Sequence, residues 1–371
     1  MGDKMNPFLQ PDYTKTVSQV FASTTLHFMT QSCSLNPICG WQRTHSLEEL
    51  PSWVPDYSLD QERTATPLVS IDGTENIFNA SGSQNKAKIP STDDVTSSKY
   101  NWRELGVTSL CIDSVSLLSK TDSPNSSFGD TEKTWLSTIS GANHLVPAVE
   151  EVKPALYAIS EIIRKYNVFW NTIQDILQAG NSAGHGPQGS ELTLISNTHL
   201  ELGTTHTLAL KHKEIPHAKQ MNIALLKGRP HVVDAYIYSL FNGKISAERR
   251  LTQEELEHIL DLDIPTELKE TGPQNIQDVT DICRTLIAGM TGRRIAVTKG
   301  GYIGALPEET QTGDLVCVLY GCSVPVVLRK LEGVDQSYKF VGECYLHGFM
   351  DAEAIAMHRK GLLDAEDITL V

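Results

Sequence analysis

The chain has 371 residues, with 31 Lys and Arg against 45 Asp and Glu, a formal net charge of -14. Such a balance repels a phosphate backbone unless basic residues concentrate somewhere, and the densest spots, Lys211-His212-Lys213, Arg249-Arg250 and Arg293-Arg294, are short; no nucleic-acid partner is expected. Hydrophobic residues at 40% and charged residues at 20% support one large packed core or two smaller ones.

The seven cysteines, an odd number with no C-x-x-C pair, exclude a zinc ribbon and fit a reducing compartment. The first residues contain no apolar leader core, and nowhere do 18 apolar residues run together. A cytoplasmic protein without a membrane span is expected.

In chain order, Asp12 is placed to cap a helix ending near Gln31, whose Val17, Val20, Phe21, Thr24 and Phe28 recur at three- and four-residue spacing and share a face. A turn-rich, aromatic stretch follows, from Asn36 through Trp41 to Pro51-Ser52-Trp53-Val54-Pro55-Asp56-Tyr57. Its two prolines favour extended backbone, and Trp53 is read as a packing anchor.

Short strands are predicted at 77–80 and across 104–118, with polar loops at 81–98 and 120–130. From Val149, the positions Val152, Leu156, Ile159, Ile163 and Tyr166 predict an amphipathic helix with Pro154 near its first turn, and Phe169, Ile173, Ile176 and Leu177 a second short one. Four glycines in 180–190 predict a linker or lid, and 191–228 alternates enough to pair as strands or act as a flap.

A helix is predicted over 232–241. Thr252-Gln253-Glu254-Glu255 is a capping-box pattern that opens a helix to about Leu260. Val279, Ile282, Cys283, Leu286 and Met290 mark one face of a helix over 275–290. From Arg293 the pattern changes to short strands separated by turns, Gly300-Gly301 among them, which predict a small closed β-barrel; a helix over 351–360, with Gly361 at its end, closes the chain.

It is in this last region that the sequence becomes specific. Gly292-Arg293-Arg294-Ile295-Ala296-Val297-Thr298-Lys299-Gly300-Gly301-Tyr302-Ile303-Gly304, then Gly313-Asp314-Leu315-Val316-Cys317-Val318-Leu319-Tyr320-Gly321-Cys322, Pro325 to Arg329 and Phe340 to Met350 resemble the C-terminal signature of fungal heterokaryon-incompatibility (HET) proteins. Leu50 to Tyr57 resembles the segment leaving the HET domain, Asp12 to Phe28 that domain's final helix, and Phe169 to Ile173 a mid-region element.

Full HET proteins open with a domain resembling TIR-type signalling modules, whose N-terminal motifs are not seen here. The resemblance therefore implies a scaffold that does not signal by that route. It extends by analogy to HET-like pericyclases (Diels–Alderases) of fungal terpenoid biosynthesis.

Little in the residues themselves points to a reaction. Six of the twelve histidines, His185, His199, His206, His212, His217 and His231, fall in one stretch without metal-ligand spacing, so no metal and no cofactor are expected. Gly300 to Gly304 joins two strands, which makes it a hairpin turn and not a phosphate loop. Asp56, Glu308, Glu309, Asp314 and Glu343 are read as turn caps and as partners of Arg293, Arg294 and Arg329.

A cyclisation catalyst needs neither cofactor nor nucleophile, only a shaped apolar site and one or two hydrogen-bond donors. For that role Trp53, Tyr57, Trp170 and Tyr302 are assigned as substrate-binding shape, and His45, Thr298 and Arg294 as catalytic donors.

The sequence thus predicts an α+β protein. Residues 1–57 would be the end of a HET domain with its linker, 58–291 a mainly helical body with short strands and a Gly/His-rich insert near 180–228, and 292–371 a small β-barrel with a closing helix. The preferred expectation is a cofactor-independent cyclase acting on an apolar small-molecule substrate. The alternative is a non-enzymatic regulatory or interaction protein of fungal self/non-self recognition.

Overall fold

A computed structural model of the chain describes residues 12–40, 49–58, 65–70, 76–83, 86–91, 94, 100–121, 127–146, 149–182, 231–246, 249–261 and 273–371. The sequence expectations for 180–228 lie almost wholly outside the described residues, as does the position of His45. The chain forms two compact units, one from 1–119, 144–147 and 291–371, the other from 120–143 and 148–290. The molecule is α+β, as the sequence predicts.

The first unit begins with α1 (Val17–Ser32). Its N-cap is Thr16 and not Asp12: the Thr16 hydroxyl accepts the Gln19 N–H at 3.3 Å, and the Gln19 side chain accepts the Thr16 N–H at 2.9 Å, a reciprocal capping box. Asp12 instead closes a local turn with Thr14. The helix ends on Cys33 in the left-handed region, φ 50°. Immediately after it, Ser34 and Leu35 donate to the Gly321 carbonyl, and Asn36 and Ser323 exchange hydrogen bonds through side chain and backbone. This strap fixes the end of α1 against the sheet.

The strands are β1 (Leu105–Leu118), β2 (Arg293–Thr298), β3 (Ile303–Pro307), β4 (Leu315–Leu319), β5 (Val326–Lys330), β6 (Ser337–Glu343), β7 (Tyr345–Leu346) and β8 (Ala365–Leu370), with the short helix Glu353–Arg359 between the last two. β4, β5, β6, β8 and β1 pair in succession, and β1 pairs back to β4, closing a ring of five strands. All these pairings are antiparallel except β6 with β8. The far end of β1 leaves the ring and carries β2, β3 and β7 as an extension.

β1 can serve both parts because its register shifts between Cys111 and Asp113 and again between Val115 and Leu117. Such bulges bend a strand and increase its twist. The core behind it is aliphatic, built on Leu110, Val115, Val316, Val318, Val327 and Val341, with Phe349 and Ile355 packed in.

Two elements differ from expectation here. Residues 77–80 form no strand; Asn79 and Ala80 each donate one backbone hydrogen bond, to Met350 and Ser323, without a ladder. The chain also continues past the Glu353–Arg359 helix and Gly361 into β8, which completes the ring.

The second unit is helical: α2 (Phe128–Ser140), α3 (Val149–Ser182), α4 (His231–Leu240), α5 (Gln253–Asp261) and α6 (Pro273–Met290). The expected faces are the buried ones: Leu156, Ile159, Ile163 and Tyr166 on α3, and Val279, Ile282, Cys283, Leu286 and Met290 on α6. Thr252 and Glu255 form the predicted capping box.

α3 is one helix of 34 residues where two were expected, because Phe169 and Ile173 continue the buried stripe of Tyr166 without a break in phase. Pro154, its sixth residue, removes one hydrogen bond close to the N-terminus, where the loss is tolerated best. α2 was not anticipated; Ser127 caps it by accepting the Asp130 N–H, and Trp135 and Ile139 on its inner side are fully buried.

Candidate functional site

The charged residues of the barrel signature hold the unit together. Arg329 donates from Nε and a terminal nitrogen to both oxygens of Asp314, each at 2.8 Å, a two-point fork on a buried carboxylate. Arg293 donates to the Glu343 carboxylate at 3.1 Å and to the backbone carbonyls of Glu343 and Thr66, while the same carboxylate accepts the Leu68 N–H at 2.7 Å. Both side chains of that pair are buried. The reading of Asp314 and Glu343 as partners of arginines stands.

Arg294, assigned as a donor to substrate, points its Nε at the Ser119 carbonyl, 2.7 Å away, and a terminal nitrogen at the Thr310 carbonyl, 3.0 Å away. It binds the chain on either side of β2. Thr298 is fully buried at the end of β2, and its hydroxyl accepts the Tyr302 N–H at 3.1 Å, bracing the hairpin that Gly300-Gly301 turns.

The aromatic assignments scatter. Trp53 is shut off from solvent, its indole N–H donating to the Arg103 carbonyl at 3.3 Å. Tyr57 meets Phe21 edge to face at 5.3 Å, and its hydroxyl shares a hydrogen bond with Thr25 at 3.1 Å, so it anchors α1. Tyr302 stands edge-on to Phe349 at 4.8 Å and packs against the strand core. Trp170 belongs to α3 in the helical unit, half-buried beside Phe169. Tyr302 and Thr298 are brought together; the others are not.

The surface that does stand out lies on α1. Ser18, Ala22, Thr25, Leu26 and Met29 form its buried side, small enough for close approach, with the Thr25 hydroxyl also satisfied by the Phe21 carbonyl. Val17, Val20 and Phe28 lie on the other side, 55%, 44% and 46% exposed, and Tyr13 just ahead of the helix is 99% exposed. The spacing predicted that these valines and Phe28 share a face, and they do. That face looks outward except at its edge, where Phe21 turns to Tyr57 and is half-buried, while Ser18, Ala22, Thr25, Leu26 and Met29 dock the helix.

The stripe from Val17 to Phe28 is roughly 16 Å long at the rise of an α-helix. Single exposed apolar residues need no explanation, but an aligned row on one helix has the form of a protein-binding surface. Among the described residues, no group of three or more His, Cys, Asp or Glu side chains could hold a metal, and no helix is long and apolar enough to cross a membrane.

Residues 275–362 match the Het-6 beta-barrel domain, so most of the strand-rich C-terminal region is similar to that domain. Within the chain, 65 residues are 42% identical to "Heterokaryon incompatibility protein 6, OR allele" of Neurospora crassa. That match spans 17% of this chain and 10% of the relative's length. No solved structure matches the chain. The matched domain contains β2 to β7 but neither β1 nor β8, the two strands through which the ring closes.

Proposed function

We propose that this chain is a non-enzymatic HET-like interaction protein of fungal self/non-self recognition, and that it meets a HET-family partner protein through the outer face of α1. The observation that carries this reading is the apolar row of Val17, Val20 and Phe28 on a helix whose other face is already satisfied. The Het-6 domain and the heterokaryon-incompatibility relative favour the same setting. Burying these side chains supplies roughly 1.5–3 kcal/mol each, enough to anchor a specific complex.

The test is binding of the purified chain to a purified full-length HET-family protein of the same fungus, measured by calorimetry. The double variant Val20→Asp with Phe28→Asp should weaken binding at least about 100-fold, the loss of two such anchors, while the melting temperature stays within a few degrees. No binding by the unaltered chain, or equal binding by the variant, overturns the reading.

A second reading is a cofactor-independent cyclase, of pericyclase type, acting on an apolar fungal metabolite such as a terpenoid. The half-buried ring of Tyr302 beside Phe349, with the Thr298 hydroxyl accepting the Tyr302 backbone N–H, is the one assigned group that assembles and favours this reading. It requires that the protein accelerate an intramolecular cycloaddition of a polyene carrying an activated alkene. Equal rates with and without protein would remove it.

A further inference from the structure

Six of the seven cysteines, Cys33, Cys39, Cys111, Cys317, Cys322 and Cys344, belong to the strand-bearing unit, and two pairs of them are in contact. Cys39 and Cys322 lie 3.5 Å apart, sulfur to sulfur, but both are buried. Cys111 and Cys317 differ in that respect: Cys111 is exposed and Cys317 is covered.

Their place in the sheet is specific. Cys111 on β1 stands directly opposite Cys317 on β4 in an antiparallel pairing. The Tyr320 N–H donates to the Thr108 carbonyl, which makes the neighbouring 108/320 pair a hydrogen-bonded one. By alternation Cys111 and Cys317 occupy a non-hydrogen-bonded pair, where Cα atoms come within about 4.5 Å and side chains approach closest. A disulfide tolerates Cα separations of about 4.4–6.8 Å, so the backbone need not move far.

The two side chains share the face of the sheet opposite to the one on which Leu110, Val316 and Val318 cluster, together with Ser109 and Leu319. The bulge immediately after Cys111 ends the regular ladder there. We propose that Cys111 and Cys317 are a peroxide-sensitive pair that forms a reversible disulfide across the β1–β4 seam.

The chemistry balances in two steps. The Cys111 thiolate attacks a hydroperoxide, forming an S–O bond and breaking the O–O bond, and an alcohol or water leaves, giving a sulfenic acid. The Cys317 sulfur then gives up its proton and attacks the Cys111 sulfur; the S–S bond forms, the S–O bond breaks, and water leaves. Two thiols lose two electrons in all, and the peroxide gains them.

The environment assigns the roles. The Cys317 thiol donates to Cys111 and favours its thiolate, against the opposing charges of Asp113 and Glu366 and some burial. Cys317 is held protonated by that same hydrogen bond and by burial, with Cys344 near and Ser109 in hydrogen-bond contact. The exposed sulfur is therefore the attacking one and the buried sulfur the resolving one.

The test treats the purified full chain with hydrogen peroxide, blocks remaining thiols with an alkylating agent, and maps peptides without reduction. A linked peptide joining Cys111 to Cys317, lighter by two hydrogens and lost on adding a dithiol, is expected to account for most of Cys111. Fragment ions cut between Cys317 and Cys322 identify which of the two is joined. Cys111→Ser should abolish the link, and Cys317→Ala should leave a sulfenic acid on Cys111 that a dimedone probe labels several-fold more than in the unaltered chain. A link confined to Cys39 and Cys322, or Cys111 left reduced while Cys33 is labelled, overturns the proposal.

Discussion

Removing the Arg293 guanidinium while keeping Glu343 would strand a carboxylate in a site closed to water, with only the Leu68 N–H left to hold it. Breaking one side of a buried pair costs roughly 3–5 kcal/mol, so Arg293→Leu should lower the denaturation midpoint of the strand-bearing unit sharply, and Arg293→Leu with Glu343→Leu should recover part of it. Glu132 in the helical unit behaves differently. It is buried with its carboxylate accepting from the hydroxyls of Tyr236 and Ser160, and burial raises its pKa above the ordinary 4.5 despite those bonds.

A raised folded-state pKa means that the folded chain holds this proton more tightly than the unfolded one. The stability it contributes is full below 4.5 and is lost as pH rises through the folded value. Denaturation of Glu132→Gln across that window should show a flatter pH profile than the unaltered chain; parallel profiles would contradict this. Of these two sets of partners, one was readable in advance and the other was not. The arginines of the barrel were, because they sit among carboxylates in one motif, whereas Glu132 meets Tyr236 across 104 residues of chain that no local pattern connects.

At the scale of elements, strands announced themselves by alternation and turn residues, and the hairpin of β2 and β3 is the clearest instance. Gly301 sits at φ 85°, and a Cβ there would come within 2.6 Å of the Leu145 carbonyl oxygen. Gly301→Ala should cost at least about 1–2 kcal/mol, the penalty of the left-handed region alone, seen as a lower melting temperature. β8 gave no such signal: only Ile368 and Leu370 of its six residues are buried, and its acidic half serves surface contacts from Asp367 to Lys88 and Thr108. α1 shows the limit of periodicity, which shows which residues share a side and not which side is covered. That decision rests with Phe21, Tyr57 and the strap to Gly321.

For the whole molecule, the barrel signature was legible because it is local, while the closure of the ring was not, because it depends on β1. That strand pairs with β4, β8 and β2, all beyond residue 290, and the entire helical unit is encoded between them. The candidate surface followed the same rule: its residues could be picked out, and its exposure could not.

The placement of β1 also orders events at the ribosome. Leu118 is made some 170 residues before its first partner, an interval of roughly 10–35 s at ordinary elongation rates. The helical unit can be complete in that time, while β1 has no strand partner until β2 and then β4 have left the exit tunnel, and its edge toward β8 stays open longer still. A chain with this layout exposes its longest strand to chaperones, or to other copies of itself, during every round of synthesis.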